Sequence, residues 1–347
     1  MDAVVIHAPH DLRIDALAPP PAGPGEGEVV VRMAAGGICG SDLHYYHHGG
    51  FGTVRIREPM VLGHEAAGHV EAIGAGVTGL RVGQLVAVNP SQPCLVCPSC
   101  KRGERIHCEN MRFSGSAMRF PHEQGLFRER ITVPAFRAFP VGDTVAPEEA
   151  ALCEPVSVSL HAARQAGDLA GRRVLVSGCG PIGVIVAAVA RHRGAAEVIC
   201  TDIAPHSLEV ARALGCDAAI DVSAGPQALA HLAENRGRID VAFECSGAPG
   251  ALAGIVPTLR PKGRMVIVGL GGDVALPMNT VVVKEIEMVG TFRFDDEFGE
   301  AAAIIGQRLI DFRPMITAVY PMADAVAAFG LASDRKRATK VAIRLGA

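Results

Sequence analysis

Cys94, Cys97, Cys100 and Cys108 follow the pattern CxxCxxCx7C. Four thiols this close in sequence can surround one tetrahedral zinc without help from distant elements. Four thiolates close the coordination sphere and leave no place for water or substrate, so the expected zinc here is structural. A nucleic-acid zinc module is the competing reading, but Lys101, Arg102, Arg105 and Arg112 are interleaved with Glu104 and Glu109, a modest basic excess only. A second set of ligand types is dispersed: Gly37-Ile38-Cys39-Gly40-Ser41-Asp42-Leu43-His44, then Gly63-His64-Glu65, then Leu152-Cys153-Glu154-Pro155. Taken singly, a cysteine is commonly a small core residue and a histidine an ordinary hydrogen-bonded group. Their combination in one chain is what points to metal chemistry.

A third constellation is Val174-Leu175-Val176-Ser177-Gly178-Cys179-Gly180-Pro181-Ile182-Gly183, an apolar strand running into GxGxxG and then a helix. Gly178 permits the tight turn, Gly180 lets the backbone approach a pyrophosphate, and Gly183 lets helix and strand pack closely. Pro181 and Ile182 open the helix, whose N-terminal N–H groups face the anion. Asp202 closes the next apolar strand, where a carboxylate accepts hydrogen bonds from both ribose hydroxyls and repels a 2′-phosphate. NAD is therefore favoured over NADP, which His206 close behind keeps possible. A glycine turn that binds no nucleotide is the plainer alternative, disfavoured by the strand, helix and acid occurring together.

These residues need a frame. The first 150 residues are rich in glycine, proline and short β-branched runs such as Val29-Val30-Val31 and Val82 to Val88, the texture of an irregular, mostly β domain. From about residue 172 strand and helix patterns alternate. Strands are expected at Arg173 to Ser177, Glu197 to Thr201, Ile239 to Glu244 and Arg264 to Gly269, helices at Pro181 to Arg193 and Pro205 to Leu214, and a turn at Pro261-Lys262-Gly263. That alternation predicts an α/β, doubly wound parallel sheet. After about residue 289 the pattern breaks up, with a helix from Glu297 to Leu309 and a last strand from Lys340 to Leu345.

The 347 residues exceed one typical domain, and 49% hydrophobic against 20% charged residues gives ample material for a core. Lysine plus arginine number 33 against 36 acids, so neither nucleic acid nor an anionic membrane is an expected partner. A small molecule is. No signal-peptide pattern and no apolar run of spanning length occurs, which predicts a cytoplasmic protein with its ten cysteines reduced and partly zinc-bound.

Gly63-His64-Glu65-x-x-Gly68-x5-Gly74-x-x-Val77 resembles the zinc signature of the medium-chain alcohol dehydrogenase superfamily, and the Cys39 segment, the four-cysteine lobe and GxGxxG follow in that family's order. Gly40-Ser41-Asp42-Leu43-His44-Tyr45-Tyr46, Pro59-Met60-Val61-Leu62 and Glu154-Pro155-Val156-Ser157-Val158 are similar to its polyol branch of sorbitol and xylitol dehydrogenases. Asn89-Pro90-Ser91-Gln92-Pro93-Cys94, Met111 to Met118 and Gly290-Thr291-Phe292-Arg293-Phe294 most resemble the L-idonate 5-dehydrogenases, which interconvert L-idonate and 5-keto-D-gluconate.

The resemblance implies a groES-like catalytic domain, residues 1–149 with 289–347, embracing a Rossmann domain at 150–288. It implies a homo-oligomer, dimer or tetramer, and two zinc ions per chain. It makes Cys39 and His64 ligands of the reactive zinc, Glu154 the third where many relatives have cysteine, directly or through water, and Glu65 a ligand-exchanging or neighbouring carboxylate. Asp42 is expected to orient His64 by a hydrogen bond. The implied reaction is zinc-assisted hydride transfer from a secondary alcohol of a sugar acid or polyol to NAD, with Ser41 passing the proton towards His44. Arg293 is the candidate for a substrate carboxylate or a cofactor phosphate. Tyr45, Tyr46, Phe113 and Phe120 are candidates for the pocket wall, core packing being the alternative for some. Sorbitol, xylitol or L-threonine dehydrogenases share nearly the same metal and cofactor residues, and a non-catalytic NAD-binding sensor is the rival from another class.

Overall fold

The computed structural model describes residues 1–21 and 23–346. Among them two sheets dominate. The strand Glu28–Gly37 turns Val29, Val31 and Met33 to one face, the period-two alternation of a half-buried strand, and these side chains enter one core cluster. It is central to a seven-stranded mixed sheet, with Glu65–Ile73, Leu85–Val88 and Ala138–Pro140 on one side, Lys340–Arg344 and Ile316–Pro321 on the other, and Arg130–Pro134 also paired to it.

The second sheet is six-stranded and parallel, in the order Ala218–Asp221, Glu197–Asp202, Arg173–Ser177, Ile239–Glu244, Leu259–Ile267, Glu287–Gly290. Val174 and Val176 belong to the cluster on one face and Leu175 to the cluster on the other, as a sheet covered by helices on both faces requires. The chain enters this sheet at Arg173–Ser177 and builds outward in both directions, so a crevice opens where it meets Ile239–Glu244. The helix Cys153–Ala166 joins the sheets: Cys153 and Val156 share one core cluster with Ala67, Leu85 and Ala87 of the mixed sheet and with Val174 and Val184 of the parallel one. No helix among the described residues is long and apolar enough to cross a membrane.

Several elements differ from the sequence expectation, each for a local reason. Pro261-Lys262-Gly263 lies inside the strand Leu259–Ile267; Ile239 pairs with Leu259 but Val241 with Arg264, so the extra residues are absorbed as a bulge with Lys262 at φ 58°. The strand expected from Val82 starts at Leu85, because Gly83 turns left-handed at φ 82° and Val82 is exposed. The helix from Glu297 stops at Gly306, and Arg308 follows at φ 52°. Glu287–Gly290, paired with Arg264 to Ile267, straddles the division expected between residues 288 and 289.

Candidate active site

Cys39 is the N-cap of the helix Gly40–His48, and its amide donates to Asp42 Oδ2 at 3.0 Å. Asp42 Oδ1 accepts from the Gly63 amide at 3.2 Å. One buried carboxylate thus ties together the backbones beside Cys39 and His64. The expected hydrogen bond to His64 is not made: His64 Nδ1 lies 3.9 Å from Asp42 Oδ1, beyond hydrogen-bonding range, because the carboxylate is engaged by the two amides. Gly63 turns at φ +90° against Phe127, whose ring a Cβ would meet at 2.1 Å, so only glycine lets the chain deliver His64 here.

Ligand atoms of Cys39, His64 and Glu65 all lie within 4.8 Å of one another. Glu154 is not in that set. It is buried in the first turn of the helix Cys153–Ala166, close enough that burial, then the neighbouring Glu65 and Cys39, push its carboxyl up to about 8, His64 and Lys340 opposing. Burial likewise pushes the Cys39 thiol up to about 12, with Glu65 adding to it and Lys340 working against it. The pocket holds several anion-forming groups and, bonded to one of them, a buried cation.

That cation, Lys340, was not singled out by the sequence. Its Nζ donates to both Glu65 oxygens at 2.8 and 2.7 Å and to the Ile38 carbonyl at 3.2 Å, with both side chains almost wholly buried. Burial favours a neutral amine, but the charges of Glu65, Cys39 and Glu154 and the hydrogen bonds to Glu65 together outweigh it and raise the lysine above its ordinary value.

The four thiols of Cys94, Cys97, Cys100 and Cys108 also meet within 4.8 Å. Backbone N–H groups of Cys94 and Asn110 donate to Cys108 Sγ at 3.2 and 3.3 Å. The Val96 amide is the main cause that brings Cys94 down to about 6. Such donors stabilise thiolate, the ligand form.

In the crevice of the parallel sheet the glycine-rich turn has the expected geometry. Gly178 sits at φ +89°, and a Cβ there would meet Ser246 at 2.7 Å; a Cβ on Gly183 would strike the Gly178 carbonyl at 1.8 Å. Beside Gly180 there is open space, and Pro181 begins the helix Pro181–His192. Asp202 accepts from the Cys179 amide at 2.6 Å through one oxygen and from the Ala204 amide at 2.8 Å through the other, so it also builds the loop. His206 reaches Thr339, next to Lys340, with Nε2 3.3 Å from Oγ1. Glu244, another buried acid that the sequence did not mark, receives the amides of Ser246 and Gly247 and shapes the opposite lip.

A cavity of about 180 Å³ runs from the cysteine lobe along Met111, Phe113, Ser116 and Met118 to Arg293. His64 faces Phe113 with ring centroids 5.6 Å apart, and the Arg293 guanidinium lies 4.3 Å from the Phe113 centroid. Arg293 donates to Met118 Sδ at 3.0 Å and pairs with no carboxylate among the described residues. Tyr45 is buried, its hydroxyl accepting from the Ala117 amide at 3.0 Å, so its ring is core beneath this wall. Tyr46 packs edge-on against Phe329, and Phe120 is exposed under Arg57. Ser41 and His44 stand one turn apart on the helix Gly40–His48, Ser41 half-buried and His44 exposed.

Residues 25–143 match the alcohol dehydrogenase GroES-like domain, and residues 181–307 match the zinc-binding dehydrogenase model. The chain is 41% identical to L-idonate 5-dehydrogenase (NAD(P)(+)) of Escherichia coli over 90% of each chain, and 35% identical to human sorbitol dehydrogenase over 94% of this chain and 91% of that one. The chain belongs to the zinc-binding dehydrogenase family. Among solved structures, L-idonate 5-dehydrogenase from Escherichia coli superposes with a TM-score of 0.93 at 37% identity, covering 99% of this chain and 97% of that one. A zinc-binding dehydrogenase of Sinorhizobium meliloti bound to NADP gives 0.88 at 28% identity, covering 99% and 98%.

As a zinc-binding dehydrogenase the chain is an oxidoreductase with a GroES-like part and a doubly wound parallel sheet. Both donor sets fit zinc on the chemistry present: four clustered thiols with N–H donors aimed at sulfur in one, and a cysteine, histidine and carboxylate crowded with too few cations in the other.

Proposed function

We propose that the chain interconverts L-idonate and 5-keto-D-gluconate with NAD as preferred partner, NADP being accepted less well. The observation that carries this reading is the unpaired guanidinium of Arg293 across the Phe113 wall from His64. It supplies a charge-assisted grip for a sugar-acid carboxylate beside the reacting hydroxyl, which a neutral polyol does not need. The likeness to L-idonate 5-dehydrogenase in sequence and structure supports the same reading.

When bound, zinc supplies Lewis acidity to a substrate hydroxyl and nicotinamide supplies the hydride acceptor. Cys39, His64 and Glu65 would hold the reactive ion, with Glu154 of the helix Cys153–Ala166 a further candidate ligand, directly or through water. Cys94, Cys97, Cys100 and Cys108 hold the structural one. Gly178, Gly180, Pro181, Ile182 and Gly183 receive the pyrophosphate, and Asp202 the ribose. Ser41 is the hydroxyl placed to pass the released proton on towards His44, whose imidazole is held below the usual histidine value by desolvation and by His48 and Arg335, ready to release protons to water. Phe113, with Tyr45 beneath it, gives the wall against which Arg293 positions the substrate.

The two sheets support a division into 1–149 with 289–347 and 150–288, save that the strand Glu287–Gly290 of the parallel sheet runs across the later boundary. A homo-oligomer, dimer or tetramer, fits the open edge of Glu287–Gly290 beside exposed Val282 and Val283, and the cytoplasm is the proposed location. The test is NAD reduction measured over L-idonate, D-gluconate, sorbitol, xylitol, L-threonine and ethanol, in the parent and in Arg293→Ala. L-idonate should lead, and the variant should lose about ten- to a hundred-fold on it, more than on sorbitol. A parent that prefers sorbitol or xylitol refutes the substrate assignment. Equal losses on both substrates place Arg293 on the cofactor.

A further inference from the structure

Arg293 holds an unusual backbone. Its φ is 52°, in the left-handed region that residues other than glycine seldom adopt, so contacts on either side of it must keep the segment in place. Downstream, the Asp295 amide donates to Glu297 Oε2 at 2.7 Å. The other Glu297 oxygen meets His161 Nδ1 and Arg164 Nη1, each at 2.9 Å, on the helix Cys153–Ala166.

The second set of contacts comes from the cysteine lobe. Arg105 lies in the short turn Arg105–His107, between the third and fourth thiols. Its Nε is 2.8 Å from Asp295 Oδ1, and a further guanidinium nitrogen meets Asp296 Oδ1. His107 lies nearly parallel to the Phe292 ring, 15° between planes and 6.4 Å between centroids. The lobe therefore touches the residues on both sides of Arg293. The Arg293 guanidinium rests 4.3 Å from the Phe113 centroid and 4.9 Å from that of Phe292, within cation–π range of both rings.

Asp295 and Asp296 are two and three residues from Arg293, yet neither pairs with it among the described residues; Arg105 takes both. Without that cation two adjacent carboxylates would repel each other and compete for the nearest guanidinium, which is that of Arg293. We propose that Arg105 is a positioning residue for substrate recognition: by occupying Asp295 and Asp296 it keeps Arg293 unpaired and directed at Phe113, which makes the cysteine lobe a specificity element. The inference rests on the role proposed for Arg293 in holding a sugar-acid carboxylate.

The test compares parent, Arg105→Gln, Arg293→Ala and the double variant, all zinc-replete, on L-idonate and on sorbitol with NAD. Arg105→Gln should raise KM for L-idonate about five- to ten-fold, with kcat and the sorbitol KM within about two-fold of the parent. In the Arg293→Ala background the same change should leave the L-idonate to sorbitol ratio unaltered, because Arg105 acts through Arg293. Amide hydrogen exchange of the 291–297 peptide, which needs no substrate, should quicken about five-fold or more in Arg105→Gln. Asp295→Asn cuts the same pair from outside the lobe and should reproduce the KM and exchange changes with zinc content intact. Equal losses on both substrates, or a further fall of the ratio in the double variant, assign Arg105 to lobe stability alone and overturn the proposal. Unchanged exchange in both Arg105→Gln and Asp295→Asn overturns it as well. A parent that prefers sorbitol refutes the substrate assignment, while the exchange measurement still decides whether Arg105 holds the Arg293 segment.

Discussion

Replacing Lys340 by methionine keeps the length of the side chain and removes the one cation that contacts Glu65. At 2.7 Å the pair attracts by about 6 kcal/mol for an effective dielectric of about 20, part of which offsets the desolvation of two buried charges. Losing only the lysine leaves that desolvation uncompensated on Glu65 and removes the charge that opposes the upward shifts of Cys39 and Glu154. The expected cost is about 3–5 kcal/mol in unfolding free energy. Chemical denaturation of parent, Lys340→Met, Glu65→Gln and the double variant, each before and after chelation, measures it as a cycle. The single lysine variant should be the least stable, the deficit should grow on chelation, and the double variant should recover much of the loss because no orphan charge remains. A Lys340→Met protein within about 1 kcal/mol of the parent, or a double variant as unstable as the single, refutes the claim that this pair holds the site together.

Elemental analysis should find two zinc ions per chain, with mild chelation removing one and Cys39→Ser abolishing the labile ion alone, because four thiolates close one site and leave the other open; a replete parent with one zinc that Cys39→Ser does not change contradicts this. Asp202→Ala should narrow the ratio of catalytic efficiencies with NAD over NADP, since the ribose loses an acceptor and a 2′-phosphate loses a repelling charge; an unchanged ratio removes Asp202 from the ribose. Glu297 is held down at about 2: burial opposes ionisation, but the hydrogen bonds from His161 and the Asp295 amide outweigh it. A depressed carboxyl contributes stability that is present above its ordinary value of 4.5 and lost as pH falls towards 2, so Glu297→Gln should cost about 2–3 kcal/mol near neutral pH and converge on the parent in acid. Parallel stability curves for the two proteins across that range contradict the assignment.

What was legible in the sequence is what neighbouring residues decide among themselves. The cysteine lobe was readable because its four ligands lie within one short loop, and the glycine turn because each glycine answers a steric demand made by the residues around it: Gly183 against the Gly178 carbonyl, Gly178 against Ser246. The parallel strands were readable from their apolar runs, and they fall near the expected positions. A bulge such as Pro261-Lys262-Gly263 was not, since proline, lysine and glycine make a turn in isolation and only the neighbouring strand turns them into an interruption of a ladder.

Tertiary structure alone decided the charge pattern of the site. Gly37 pairs with Glu65 across one side of its strand and with Ala342 across the other, and this register carries Lys340 to Glu65 over a separation of 275 residues. No local signal marks a lysine at the head of a buried strand as the partner of a distant acid. The same holds for Asp42, whose carboxylate goes to two backbone amides and not to the His64 ring, and for Glu154, which stands near the cluster of Cys39, His64 and Glu65 without joining it. Ligand types and turn glycines are properties of a short stretch of chain. Which charges meet, and at what distance, depends on sheet register and on the competition of each buried acceptor for the nearest unsatisfied N–H, and both exist only once the strands have assembled.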